Sequence, residues 1–193
     1  MPEVWVNVAE RTGIEELRRT TRDEPDYDKL MRYRLDILDS NGITMDDISA
    51  AIESMDPLEG AVDFLNQLRS KWQVVILSDT FAQFAAPMME KLGRPTILCH
   101  TLEVDEDSRR VTGWTIRMED QKRHAVEALR GLNFNVISAG DSYNDTSMLA
   151  ASNAGILINP PSNVVEEFSQ YPVVSDYEQL LTHIEAAASA MGE

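Results

Sequence analysis

The stretch Val74-Val75-Ile76-Leu77-Ser78-Asp79-Thr80 decides how this chain folds, and Phe134-Asn135-Val136-Ile137-Ser138-Ala139-Gly140-Asp141-Ser142-Tyr143-Asn144-Asp145 has the same build. In each, a short apolar run rich in Val and Ile breaks off into small and acidic residues. A run of four consecutive apolar residues suits a strand buried on both faces of a parallel sheet, because a half-exposed strand would alternate. Helical periodicity surrounds both runs. Glu59 to Lys71 puts Val62, Leu65 and Leu68 inward, Phe81 to Leu92 ends at Gly93, and Lys122 to Leu132 precedes a strand over Phe134 to Ala139. Thr146 to Ala151 reads as a helix, Ala154 to Ile158 as a strand and Asp176 to Met191 as a closing helix. Thr101 to Val104 and Val111 to Arg117 pair across the polar turn Asp105-Glu106-Asp107-Ser108. Strands separated by helices of this length predict an α/β fold, a parallel sheet with helices on both faces.

The first third has a different texture. From Glu3 to about Met55 there is no strand pattern. Asp26 to Ser40 places Leu30, Met31, Arg34, Leu35 and Leu38 at helical spacing, and Asn41-Gly42 supplies a stop. Thr44 is an N-cap for a helix whose apolar face includes Ile48, Ile52 and Met55. The expected organisation is a small helical subdomain over 3–56 and an α/β core over 57–193.

Composition narrows the function classes. The 193 residues carry 33 Asp and Glu against 17 Lys and Arg, a formal charge of −16. Such a chain repels phosphate backbones and anionic membranes, so neither a nucleic acid nor a membrane is expected as partner. No apolar run is long enough to span a bilayer. Cys99 is the single cysteine and sits in an apolar run, which favours packing over redox work. His100, His124 and His183 lack metal-ligand spacing. A cytoplasmic location is the expectation.

In open α/β sheets ligands bind beyond the carboxyl ends of the parallel strands. Ser78-Asp79-Thr80 follows the first strand, Gly140-Asp141 through Asp145 follows the second, and Lys122 lies at a helix start. A hydroxyl with the N–H groups of a following helix can hold phosphate oxygens. An ammonium neutralises a transferring phosphoryl group. Two carboxylates four positions apart suit a hard cation such as Mg²⁺, which takes few carboxylates together with water and phosphate oxygens. Singly, each has a plainer reading: an N-cap, a solvated lysine, a turn with capping acids. Their order and common placement at strand ends favour a phosphoryl-transfer site.

These residues resemble the haloacid-dehalogenase-like phosphatases. Val75-Ile76-Leu77-Ser78-Asp79-Thr80, Lys122 and Gly140-Asp141-Ser142-Tyr143-Asn144-Asp145 look like the second, third and fourth motifs of that family. The last is most similar to the phosphoserine phosphatase branch. Ser-Asp-Thr-Phe at 78–81 looks like the bifunctional phosphoserine phosphatase/homoserine phosphotransferase proteins. The similarity includes Thr20-Thr21-Arg22-Asp23, Pro25-Asp26-Tyr27-Asp28 and Pro57-Leu58-Glu59-Gly60. The resemblance implies that Ser78 and the Asp79 N–H bind phosphate and that Lys122 neutralises it. It makes Asp141 a direct Mg²⁺ ligand, sets Asp145 to order the metal shell or the Lys122 ammonium, and has Asn144 hydrogen-bond near the phosphate. The helical segment becomes a cap over an amino-acid substrate, with Glu3 facing its ammonium and Arg34 clamping its carboxylate. On pattern alone Glu3 would be a helix-start acid and Arg34 a snorkelling surface residue. A substrate bearing both charges needs a partner of each sign, and a guanidinium suits a carboxylate.

One part of the family pattern has no match. Its nucleophilic Asp, in an Asp-x-Asp or Asp-x-Glu motif closing a central first strand, would precede Glu3, and residues 1–2 correspond only to the linker after it. The expectation is an impaired chain, or a natural start about a dozen residues upstream, one strand and its turn. With that central strand absent as written, pairing of two copies as a homodimer is a further expectation. The expected activity is Mg²⁺-dependent hydrolysis of O-phospho-L-serine through a phospho-aspartate, with homoserine as a second acceptor. The alternative is a non-catalytic amino-acid- or phosphate-binding protein of the same fold.

Overall fold

The computed structural model describes residues 4–20, 23–24 and 26–192. Glu3 lies outside them. Contacts group the chain into two compact units: Met1–Asn66 with Val74–Arg117, and Gln67–Gln73 with Met118–Glu193.

The first unit runs α1 (Val4–Thr12), a 3₁₀ turn (Glu15–Arg18), α2 (Tyr27–Ser40), α3 (Met45–Glu53), α4 (Ala61–Arg69, whose last residues belong to the second unit), β1 (Val75–Phe81), α5 (Ala82–Lys91), β2 (Thr96–Val104) and β3 (Val111–Thr115). The helical segment therefore packs in the same unit as β1 to β3. Helix α2 starts where expected, because the Asp26 carboxylate accepts the Lys29 N–H at 3.1 Å. It stops at Asn41, and Gly42 takes up the left-handed conformation there (φ 67°). Helix α3 opens on a reciprocal cap. The Asp47 carboxylate accepts the Thr44 N–H at 2.8 Å and its hydroxyl at 2.6 Å, while Thr44 Oγ1 accepts the Asp47 N–H at 3.4 Å.

Met31, Leu38, Ile48, Ile52, Phe81, Phe84 and Met88 form the core of this unit. Phe84 meets Trp5 and Phe81 edge-on, with centroids 5.3 and 5.6 Å away. The sheet order is β1-β2-β3, with β1 parallel to β2 and β2 antiparallel to β3. The hairpin forms as read, pairing Thr101 with Thr115 and Val104 with Val111. Two details differ. Strand β1 continues through Ser78-Asp79-Thr80 to Phe81, so the motif lies in the strand and not after it. Val62 is 36% exposed, while Leu68 is buried and Leu65 packs on the core.

The second unit runs α6 (Gln121–Gly131), β4 (Ile137–Gly140), a 3₁₀ turn (Tyr143–Asp145), α7 (Thr146–Ala151), β5 (Ala154–Ile158), α8 (Ser162–Glu167), β6 (Val173–Val174) and α9 (Tyr177–Met191). Its sheet, β4-β5-β6, is parallel throughout, pairing Ile137 with Ala154, Gly140 with Leu157 and Ile158 with Val174. Val126, Leu149, Ile156, Leu157, Val164 and Val174 are buried here. Phe134 is 55% exposed, and the strand begins three residues later than its apolar run suggests. The chain is α/β, with helices alternating with parallel strands. Among the described residues no helix is long and apolar enough to cross a membrane.

The α3 cap gives a stability test. The Thr44 hydroxyl and N–H hold the Asp47 carboxyl below its ordinary value. A depressed folded-state pKa contributes stability that is complete above the ordinary carboxylate range and fades as pH falls through the folded value. Thr44→Ala is expected to cost about 1 kcal/mol at neutral pH. The deficit should shrink in acid, once Asp47 is protonated in both proteins. Urea unfolding at the two pH values measures it, and a deficit independent of pH would contradict the carboxylate's part.

Candidate active site

Strand β4 ends at Gly140, and the chain turns through the second 3₁₀ segment into α7. Asp145, buried at the end of that turn, organises it. Its Oδ2 accepts the Asp141 N–H at 3.0 Å, the Ser142 N–H at 3.2 Å and the Ser142 hydroxyl at 3.2 Å. Its Oδ1 accepts from the Lys122 ammonium at 2.8 Å. Both carboxylate oxygens are thus occupied by donors, which makes Asp145 the anchor of Lys122 and leaves it badly placed to coordinate a cation. Asp141, by contrast, gives only its N–H to this network, and the residue is exposed. Asn144 is also exposed and accepts from the Ser142 hydroxyl. Among the described residues no cluster of three His, Cys, Asp or Glu side chains could hold a metal. What the loop offers a cation is one exposed carboxylate, which is the kind of site that suits Mg²⁺ when water and phosphate complete the shell.

Two local features make this loop possible. A Cβ on Gly140 would lie 2.4 Å from Asp145 Cβ and 2.7 Å from its Oδ2, so the glycine is needed for close approach rather than for an unusual turn. Lys122 sits in the first turn of α6, where the helix dipole disfavours a cation. The Asp145 carboxylate offsets that cost at a buried position. Just before it, Asp120 adopts φ 49° and accepts the Ser147 hydroxyl at 2.6 Å, which ties the start of α6 to α7. That hydrogen bond, with a second from Arg123, holds the Asp120 carboxyl below its usual range.

In the first unit the other candidates gather around a break in strand register. Leu77 pairs with Leu98, but Phe81 pairs with His100, so three residues of β1 stand opposite one of β2. Ser78, Asp79 and Thr80 form this bulge, a device that re-aims side chains beside functional sites. Ser78 Oγ accepts the Thr80 N–H at 3.3 Å. Asp79 Oδ1 lies 3.8 Å from His100 Nε2. Arg34 is only 6% exposed, contrary to a snorkelling surface residue. Its guanidinium lies over the Trp5 ring at 4.5 Å, and Nη2 donates to the Arg19 carbonyl at 2.7 Å. Tyr27 lies in the same neighbourhood. Burial pushes its hydroxyl up to about 12, with the Arg34 charge acting against the rise and the Asp79 charge adding to it.

The structure thus brings Lys122, Asp145 and the 141–144 loop together in one unit, and Arg34, Tyr27 and Asp79 into one neighbourhood of the other. Trp5 and His100 emerge as contacts of candidate residues. Neither contact follows from sequence spacing. Cys99 is buried, and desolvation raises its thiol, as a packing residue should show.

The haloacid dehalogenase-like hydrolase family pattern matches residues 3–150. The chain belongs to that family. It is 53% identical over 189 residues to a protein named phosphoserine phosphatase ThrH from Pseudomonas aeruginosa, covering 98% of this chain and 92% of that one. It is also 53% identical over 180 residues to a phosphoserine phosphatase from Pseudomonas syringae pv. tomato, covering 93% of this chain and 76% of that one. Among solved structures, a substrate-bound phosphoserine phosphatase complex superposes with a TM-score of 0.74 at 19% identity, covering 94% of this chain and 90% of the other. That likeness shows the fold.

In this hydrolase Gly140 and Lys122 act on the same carboxylate, so their effects should not add. Lys122→Met leaves Asp145 buried without its cation, and a cost of about 3–5 kcal/mol is expected. Gly140→Ala forces a methyl group onto the Asp145 Cβ and should cost about 1–3 kcal/mol. A double-mutant cycle by urea unfolding should give less than the sum. Additive costs would mean that the glycine is required for some other reason.

Proposed function

We propose that this protein is a Mg²⁺-dependent phosphomonoesterase acting on O-phospho-L-serine, giving serine and inorganic phosphate, with homoserine as an alternative phosphoryl acceptor. The observation that carries the reading is the Lys122–Asp145 pair, a buried ammonium fixed at 2.8 Å beside a loop with an exposed acid, in a chain 53% identical to two proteins named phosphoserine phosphatase.

The chemistry assigns each residue a task. Lys122 neutralises charge on the phosphoryl oxygens, and Asp145 keeps that ammonium aimed. Ser78 donates its hydroxyl to phosphate, with the Asp79 N–H beside it, and Asn144 hydrogen-bonds near the same group. Asp141 holds the Mg²⁺, which supplies charge neutralisation to the phosphate when bound. Arg34, kept planar against Trp5, takes the substrate carboxylate, and Glu3 meets the ammonium. Residues 3–56 act as the cap over the amino acid, and the protein works in the cytoplasm on a small phosphorylated amino acid, without nucleic acid or membrane. In this reading hydrolysis passes through a phospho-aspartate. Binding of the amino acid or phosphate without turnover is the second reading, and a homodimer belongs to the proposal as well.

Phosphate release from phosphoserine, set against calorimetric binding, separates the two readings. Turnover that needs Mg²⁺ and is lost in Asp141→Asn and in Lys122→Ala supports the enzyme, and near-normal rates in either variant would refute the site. Binding with no phosphate released under any divalent metal would favour the binding protein. Arg34→Ala should weaken phosphoserine at least tenfold more than p-nitrophenyl phosphate, which has no carboxylate for the guanidinium. Equal losses on both would remove the clamp.

A further inference from the structure

The starts of α6 and α7 are joined by an exchange of partners. Asp120 stands immediately before α6 and Asp145 immediately before α7, and neither side chain caps its own helix. Each carboxylate accepts instead from the second residue of the other helix. Asp145 Oδ1 takes the Lys122 ammonium at 2.8 Å, and Asp120 Oδ1 takes the Ser147 hydroxyl at 2.6 Å. The first link is buried and the second lies at the surface.

The surface link is the one that breaks a local rule. An acid before a helix ordinarily keeps an extended backbone and accepts an N–H of the first turn. Asp120 forgoes that cap: φ 49° and ψ 38° put it in the left-handed region, where a residue with a Cβ is strained. Its other oxygen accepts from Arg123 Nε, an exposed ion pair of a kind that contributes little to stability. What the Ser147 link supplies is direction. A single bond between Lys122 and Asp145 fixes one point and leaves the first turn of α6 free to swing about it. A second bond, from residue 120 to residue 147, removes that freedom. Lys122 needs it removed, because a long flexible stem carries any displacement of its Cα on to the ammonium.

We infer that Asp120 and Ser147 are positioning residues for Lys122: their link sets the start of α6 so that the ammonium meets a phosphoryl oxygen while it stays bonded to Asp145. The inference rests on the part of the proposed function that gives Lys122 the phosphate, and it goes beyond that part by assigning two further residues to the same contact. Both act through Lys122. The strained backbone at residue 120 is then accounted for, since the left-handed turn is what carries the carboxylate away from its own helix and across to α7.

Calorimetric titration of the full chain with inorganic phosphate, in buffer containing Mg²⁺, tests this. Ser147→Ala and Asp120→Gly each remove the link, and the glycine relieves the backbone strain as well. Each should weaken phosphate about tenfold. The double variant should be no weaker than either single one, because both break the same bond. Asp120→Asn keeps an acceptor and tolerates the left-handed backbone, so its affinity should stay within about twofold of wild type. A merely structural role would lower the fraction of chains that bind and leave the affinity of the rest unchanged, so a fall in stoichiometry alone overturns the inference. Wild-type affinity in Ser147→Ala, additive losses in the double variant, or an Asp120→Asn as weak as the glycine variant also overturn it, while phosphate binding by the wild-type chain stands. Should Asp120→Gly fail to fold, Ser147→Ala and Asp120→Asn decide between them. If the wild-type chain binds neither phosphate nor O-phospho-L-serine, the phosphoserine reading falls and takes this inference with it.

Discussion

A single buried carboxylate sets the geometry of the second unit. Asp145 has two oxygens to satisfy away from water, and an unmet charge there would be costly. It satisfies them with two backbone N–H groups, a hydroxyl and an ammonium. Those donors come from residues 141 and 142 and from the first turn of α6, so the loop must fold back tightly and α6 must begin beside it. Glycine at 140 follows from the same demand, because the returning carboxylate occupies the space of a side chain. The spacing Gly-Asp-x-x-x-Asp is the sequence trace of this one saturation problem.

The first unit meets a comparable demand by different means. Arg34 is charged and buried on α2, where an indole face and a backbone carbonyl help to accommodate it. A cation–π contact stabilises a guanidinium while keeping its charge.

How much of this could be read from sequence follows from range. Helix starts were legible because caps are local: Asp26, Thr44 and Asp176 each accept the N–H three residues on. Strand β5, Ala154–Ile158, and helix α7, Thr146–Ala151, fall on their expected bounds, since apolar runs and periodicity mark them without ambiguity. The first half of β2, Thr96 to His100, is not legible in sequence because its apolar run, Ile97-Leu98-Cys99, is too short to carry a periodicity of its own. Its pairing with β1 is a tertiary fact. Phe134 and Val62 misled for the complementary reason: hydrophobicity predicts burial only on average, and position in the fold decides the instance. Lys122 and Asp145 were legible as candidates, but only the fold chose between the two roles open to Asp145. The Trp5–Arg34 and His100–Asp79 contacts join residues far apart in sequence, and nothing in their spacing announces them.

The overall charge gives these local arrangements their purpose under the proposed function. A chain of formal charge −16 repels a phosphate at long range, although salt limits that repulsion to about 10 Å at moderate ionic strength. Within that distance the local charges decide. Lys122 places an ammonium beside the loop, and Asp145, held by three further donors, fixes its position. Asp141 works the other way: an exposed acid beside a phosphate is unfavourable until a divalent cation sits between them. The loop is therefore built for two anions and one cation together, and Mg²⁺ is the ion whose preference for few carboxylates and several waters fits that balance.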